Sequence, residues 1–263
     1  MCIRDRHLPT NTLEKFDMPE MISALSVRPN GDMLIASHKG INNFNFKEKK
    51  LNKIIDLEPD KPQNRCNDGA ADSKGRFWVG TMQNNVTPQA TDIEIVENSG
   101  SLYCINQDLS FSKLEDNIGI SNTVVWSPDS KKFYFTDTLT GIINSYDCNI
   151  EEGSISNKKF FAKHERGFPD GATVDSDGCL WSCRFGGSCV VRFDPNGKVD
   201  DIIELPVENI TSCAFGGSDL KTLFITTARW GMSEEQMKQK PQSGGLFAIN
   251  LNVQGIPDYS FGA

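Results

Sequence analysis

The sequence predicts an all-β fold, a six-bladed β-propeller with an incomplete first blade, and three observations predict it. Five short runs share a composition rich in aromatic and β-branched residues: DMLIASH from Asp32, RFWVGTM from Arg76, KFYFTDT from Lys132, CLWSCRF from Cys179 and TLFITTA from Thr222. Each follows a turn (PNG, SKG, SPDS, SDG or GGSD), and each leads, after a loop, to a glycine that opens a second alternating run. Those glycines, Gly40, Gly100, Gly141, Gly187 and Gly245, recur at intervals of 60, 41, 46 and 58 residues. Short strands punctuated at such intervals read as blades of about four strands.

Taken in order, the first six residues, MCIRDR, contain no apolar core of a signal peptide. They read as the translation of a sequencing-library adapter and are set aside from the fold. Residues 7–263 are then expected to form one propeller domain. HLPTNTLEKFDMP reads as the outer end of an earlier blade, which brings the count to six and implies a chain truncated at its N-terminus. SVRPNGDMLIASHKG begins the first full repeat, NRCNDGAADSKGRFWVGTM the second, SNTVVWSPDSKKFYFTDT the third and PDGATVDSDGCLWSCRFGG the fourth. The fifth, around Thr211, Ser212 and Cys213, has two registers open because its turn reads as one residue longer in one of them. The interval from Thr81 to Ser99 is a loop between blade strands, and another runs from Trp230 to Ser243. Helical periodicity is confined to SEEQMKQK near Ser233, enough for one or two turns.

Length and charge narrow the function. A chain of 263 residues is ample for one large β domain with a real core. Lys and Arg number 27 against 35 Asp and Glu, a net charge of −8, with no basic run. Nucleic acid and anionic membrane surfaces are therefore excluded as expected partners. No apolar run approaches the length that crosses a bilayer. The eight cysteines lie mostly inside strand-like runs and lack zinc-site spacing. They read as reduced, buried, small apolar residues, and a cytoplasmic location is expected.

One coincidence points to a site. Eight positions before the turn residues Gly75, Ser130 and Gly178 stand Asn67, Asn122 and Asp170. The first strand of a propeller blade lines the central channel, so three oxygen-bearing side chains at one offset are expected to converge at one mouth. The competing reading is that Asn, Asp and Gly simply build turns there. Carboxylate and amide oxygens suit a hard divalent cation. His7, His38 and His164 have no soft-metal spacing, and neither a GxSxG elbow nor a Gly-rich phosphate loop is present.

NRCNDG at Asn64, GISNTVVWSPD at Gly119, FPDGATVDSDGCLW at Phe168 and TSCAFGG at Thr211 resemble the regucalcin/gluconolactonase (senescence marker protein) family, as does SVRPNGDMLIASHKG. The likeness runs from about His7 to the C-terminus. It implies one divalent metal (Ca²⁺, Zn²⁺, Mn²⁺ or Mg²⁺) near the propeller axis and hydrolysis of a small-molecule sugar lactone. By the same resemblance Asn122 and Asp170 are metal ligands, and Arg65 and Asn67 hold the substrate's hydroxyl and carbonyl oxygens. Glu97 is the expected further substrate contact, with Glu94 as its rival, and Thr81 and Met82 are packing residues. The family's remaining ligand, a Glu in a GESPVW-like segment, has no counterpart here.

A lactone is an ester, so its hydrolysis needs an activated water and a stabilised oxyanion. Asp170 is the expected catalytic carboxylate, although serving as a ligand and as a base competes for its oxygens. Arg65 offers a fork of donors to substrate. Two alternatives remain: a promiscuous organophosphate or ester hydrolase, and a non-catalytic calcium-binding or protein-binding propeller.

Overall fold

A computed structural model describes residues 2–7, 10, 12–87 and 91–263. The fold is an all-β propeller whose chain divides into two compact units, Met1–Ser121 with Asp258–Ala263, and Asn122–Pro257.

In the first unit, β1 (Cys2–His7) and β2 (Thr12–Asp17) form an antiparallel pair. The first blade sheet joins β3 (Ile22–Val27), β4 (Met33–Ser37), β5 (Gly40–Asn45) and β6 (Lys50–Ile55). The second joins β7 (Asn64–Ala71), β8 (Phe77–Gln83), β9 (Gly100–Ile105) and β10 (Phe111–Ile118). β11 (Ser121–Trp126) starts at the last residue of this segment and continues into the second unit with β12 (Lys132–Asp137), β13 (Ile142–Asn149) and β14 (Ser154–Lys163). The next sheet holds β15 (Phe168–Val174), β16 (Leu180–Phe185), β17 (Cys189–Phe193) and β18 (Val199–Glu204). The last has three strands, β19 (Asn209–Gly216), β20 (Thr222–Ala228) and β21 (Leu246–Asn250).

Among the described residues there are therefore five blade sheets rather than the six expected from sequence. Residues up to Asp17 supply two strands, which pair with each other as a separate sheet and do not complete a blade. The five aromatic-rich runs are the second strands β4, β8, β12, β16 and β20, and the runs expected to open with a glycine supply the third strands. These elements stand out in the sequence as aromatic and β-branched runs because both their faces are buried. Six of the seven residues of β8 are buried, as are five of six in β16. Fourth strands are the opposite. β10 and β18 are mostly exposed and carry Lys, Glu and Asp, charges that discourage further edge pairing.

The hairpin between first and second strands fixes the register. Gly75 and Gly178 take φ of 70° and 81°, a region costly for a residue with a Cβ, and Ser130 takes it at 56°. In the fifth sheet Gly216 pairs with Thr222, as Ala71 pairs with Phe77, so the two turns have equal length. That register decides the open question of the fifth repeat: Ser212, not Thr211 or Cys213, is the counterpart of Asn67.

Apolar packing occurs between successive sheets within each unit. Leu34, Ile41, Phe77, Val79 and Ile105 share one buried cluster with Phe261 from the C-terminal tail. The Phe261 amide donates to Ser26 Oγ at 3.0 Å, and its ring lies 5.3 Å under the Arg28 guanidinium. In the second unit Tyr134, Phe161, Leu180 and Phe193 fill one cluster, and Trp181, Val190, Phe215 and Leu223 another. The one α-helix among the described residues, α1 (Glu234–Gln239), lies in the interval expected to hold a helical turn. Its Ser233/Gln236 capping box satisfies the helix entry from both sides.

Candidate functional site

Most first strands carry a β-bulge at their start. The ladder slips between Ile22 and Ala24, between Cys66 and Gly69, between Pro169 and Ala172, and between Ile210 and Ser212. In β11 the corresponding irregularity is Thr123, a buried β-branched residue at φ 60°. A bulge adds a residue without a partner and re-aims its side chain. Asn67, Asn122 and Asp170 therefore stand at or next to distorted positions, which explains why one sequence offset marks them all.

In the first unit the structure brings Arg65 and Asn67 together. The Arg65 Nη1 group donates to Asn67 Oδ1 at 2.7 Å and to the Cys66 carbonyl at 2.9 Å, and Nη2 donates to Asn85 Oδ1 at 2.9 Å. Asn67 in turn donates from Nδ2 to the Ser121 carbonyl at 2.8 Å. The fork is thus held by three oxygens in a part-buried setting. A cavity of about 310 Å³ lies beside it, lined by His38, Lys39, Glu58, Lys61, Asn64 and Thr81. Burial and the positive Arg65 both lower the His38 pKa, favouring its neutral form. Glu58 accepts from Tyr103 Oη at 3.0 Å and from Asn64 Nδ2 at 2.8 Å.

The second unit brings Asn122 and Asp170 together through two threonines. Asn122 Nδ2 donates to Thr138 Oγ1 at 2.8 Å, and Thr138 Oγ1 donates to the Pro169 carbonyl at 2.7 Å. Thr123 Oγ1 donates to the carbonyl of Asp170 itself, also at 2.7 Å. Thr138 opens a 3-10 turn, Thr138–Thr140, capped by the Asp137 side chain. The bulge is tight as well: a Cβ on Gly171 would stand 2.5 Å from Ser212 Oγ and 2.9 Å from the Thr211 carbonyl.

Across the ladder from Pro169 lies Arg184, fully buried. Its Nε and Nη2 donate to the carbonyls of Arg166, His164 and Gly167 at 2.9–3.0 Å, pinning the segment that leads into β15. Burial lowers its pKa to about 10. Leu139 and Phe168, neighbours in sequence of Thr138 and Pro169, are exposed apolar side chains.

Glu97 and Glu94 both lie exposed on the 84–99 segment. Gln83 holds its backbone, accepting from the Glu97 amide at 3.0 Å and donating to the Glu94 carbonyl at 3.0 Å. Thr81 and Met82 are buried, as expected for packing residues. The sequence reading missed Thr123, Thr138 and Arg184. Thr123 and Thr138 were inside quoted motifs, but neither stands at the eight-residue offset.

The donor chemistry of Asn122 and Asp170 fits a hard cation, one amide oxygen and one carboxylate. Among the described residues no group of three or more His, Cys, Asp or Glu side chains is placed to hold a metal. These two donors would share a cation with oxygens from water or substrate.

Residues 3–229 match the SMP-30/gluconolactonase/LRE-like family. Regucalcin from Gallus gallus is 36% identical over 244 residues, which cover 91% of this chain and 80% of that protein. Regucalcin from Homo sapiens is 34% identical over 256 residues, 96% of this chain and 84% of its own length. Among solved structures, the calcium-binding protein regucalcin from Agrobacterium tumefaciens superposes with a TM-score of 0.91 at 28% identity, covering 99% of this chain and 86% of that one. A gluconolactonase from Xanthomonas campestris shares the fold, with a TM-score of 0.72 at 22% identity over 92% of this chain and 76% of its own. With its family motifs present and most of its length aligned, the chain belongs to the SMP-30/gluconolactonase/LRE-like family.

Proposed function

We propose that this protein hydrolyses sugar lactones with the help of a divalent cation. The observation that carries the reading is the tie between Asn122 and Asp170, distant in sequence, through the hydroxyls of Thr138 and Thr123. Such a bracket on the Asn122 side chain and on the backbone that carries Asp170 suits residues whose placement matters for a ligand. A cation held by Asn122 and Asp170 would supply Lewis acidity to the lactone carbonyl.

The protein's own groups supply the rest. Asp170 orients the attacking water and accepts its proton. Arg65 and Asn67 act on substrate hydroxyl and carbonyl oxygens; the bond between them keeps the guanidinium fork in one orientation, which limits the entropy lost on binding. Glu97 is the proposed further substrate contact.

Acid release from an aldonolactone, followed in a pH-stat, tests this. Activity is expected to disappear with EDTA and return with Ca²⁺, Zn²⁺ or Mn²⁺. Asp170→Asn keeps an oxygen donor but no base, and turnover should fall by about 10²–10⁴-fold. Arg65→Ala should chiefly raise KM. Unchanged turnover in Asp170→Ala sinks the proposal. A second reading, calcium binding without turnover, draws on the description of the Agrobacterium relative as a calcium-binding protein. Calcium binding with no lactone or ester hydrolysis would favour it.

A further inference from the structure

We infer that Thr138 is a positioning residue that dictates which atom of Asn122 is offered to a cation; the inference rests on the reading of Asn122 and Asp170 as cation ligands. A threonine hydroxyl has one proton. Thr138 Oγ1 lies 2.7 Å from the Pro169 carbonyl, an oxygen that can only accept, so the proton is spent there. Towards Asn122, 2.8 Å away, the same oxygen can then only accept. Asn122 must therefore turn its NH₂ towards Thr138, which places Oδ1 at the opposite corner of the amide. That oxygen is the atom a hard cation requires; the flipped amide would present two N–H donors and repel it.

The same hydroxyl couples the two candidate ligands. Its acceptor is the carbonyl of Pro169, the peptide unit that leads directly into Asp170, and Thr123 Oγ1 holds the next carbonyl, that of Asp170, at 2.7 Å. Asn122, Thr123 and Thr138 are all buried, so water competes little for these bonds. Thr123 keeps a φ of 60° at this point, a conformation disfavoured for a β-branched residue and tolerated where surrounding contacts enforce it. At the corresponding position of the second unit's last sheet is Ser212, and in the first sheet Ser23, whose hydroxyl donates within its own blade to the Ala36 carbonyl at 3.1 Å.

The substitutions follow from proton counting. Thr138→Val keeps the shape and removes the acceptor that turns the Asn122 NH₂ away from the cation. Thr138→Ser keeps the hydroxyl and the relay. Isothermal titration with Ca²⁺ alone, without lactone, is expected to show about 10- to 100-fold weaker binding in Thr138→Val and near wild-type binding in Thr138→Ser. In the cation-free protein, the Asn122 side-chain amide protons should exchange slowly with solvent in wild type and Thr138→Ser, and fast in Thr138→Val. Should Thr138→Val fail to fold, Thr138→Ala is the replacement, and slow exchange of the wild-type amide still has to be seen. Calcium binding that Asp170→Ala abolishes but Thr138→Val leaves intact overturns the positioning role while the cation site stands. A wild-type protein that binds no Ca²⁺, Zn²⁺ or Mn²⁺ overturns both.

Discussion

Asp72 and Asp175 illustrate how much one residue can hold. Each is fully buried and each accepts four hydrogen bonds. Asp72 takes the amides of Lys74 and Arg76 at Oδ1, and Arg76 Nε and Trp78 Nε1 at Oδ2, all within 2.7–3.0 Å. Asp175 takes the amides of Asp177 and Cys179, then Trp181 Nε1 and Arg192 Nε, within 2.8–3.0 Å. Removing either carboxylate takes the acceptor from a buried indole N–H; Asp72→Ala also takes the carboxylate paired with the buried Arg76 guanidinium, whereas Arg192 keeps Asp177 and Asp200. Asp72→Ala should destabilise by about 3–5 kcal/mol in denaturant titration, and Asp175→Ala by less, because Arg192 retains two carboxylates. Cys66 behaves differently. Burial, reinforced by Glu58, pushes its thiol up to about 12, against an ordinary value of 9.0. Between those values the folded state keeps a proton that the unfolded state has lost, so stability is intact below pH 9 and declines as pH rises from there towards 12. The slope from this one group is about 1.4 kcal/mol per pH unit. Alkaline unfolding of Cys66→Ala, measured beside wild type, should be flatter by that amount over this window.

At the scale of the element, the two Asp–Trp turns reach one architecture by different routes. In the second sheet the arginine comes from the turn itself, at Arg76, and Cys104 of β9 lies opposite Trp78. In the fourth sheet Cys179 occupies the turn position, and the arginine, Arg192 of β17, lies opposite Trp181. Arginine and cysteine have exchanged places while the bonded set of Asp, Trp and Arg is kept. In the third sheet Ser127 takes the place of Asp72 and Asp175, its hydroxyl bonded to Asp129 and to the Lys132 amide, and Phe133 stands where the others have Trp. An indole needs an acceptor when buried, and a phenyl ring does not. Phe133→Trp alone should therefore destabilise the protein by about 1–3 kcal/mol through an unsatisfied N–H, and Ser127→Asp added to it should recover part of the loss. A thermal melt of the double variant no higher than that of Phe133→Trp counts against this pairing. The hairpins themselves were legible in sequence, since alternation and turn residues are local. The Arg–Cys exchange was not, because its partners are joined only by strand pairing.

For the molecule as a whole, Cys66, Cys104, Cys148, Cys179, Cys183, Cys189 and Cys213 are free thiols, and all of these but Cys148 are buried. Stability should thus be indifferent to reductant: in a Cys2→Ser background, melting temperatures with and without a thiol reductant should coincide. Thiol titration of that variant should register Cys148 first and the buried six only on unfolding, since burial raises the pKa of Cys66, Cys179, Cys183 and Cys189 and suppresses the reactive thiolate. A melting temperature that falls with reductant would contradict the free-thiol state.

By itself the sequence determined the all-β class, the five hairpin repeats and the offset that marks Asn67, Asn122 and Asp170, because strand alternation and turn geometry are written in neighbouring residues. It also carried the family motifs. The tertiary structure decided what distant segments do to one another. The two strands before Asp17 pair as a sheet of their own, so the blade sheets number five, not six. The register of β19 on β20 makes Ser212 the fifth counterpart. Thr138, which does not share the offset of Asn67, Asn122 and Asp170, meets Asn122 and Pro169 only because β11, β12 and β15 are folded against each other. A hydrogen bond has no sequence signature when its donor and acceptor are joined by packing rather than by spacing.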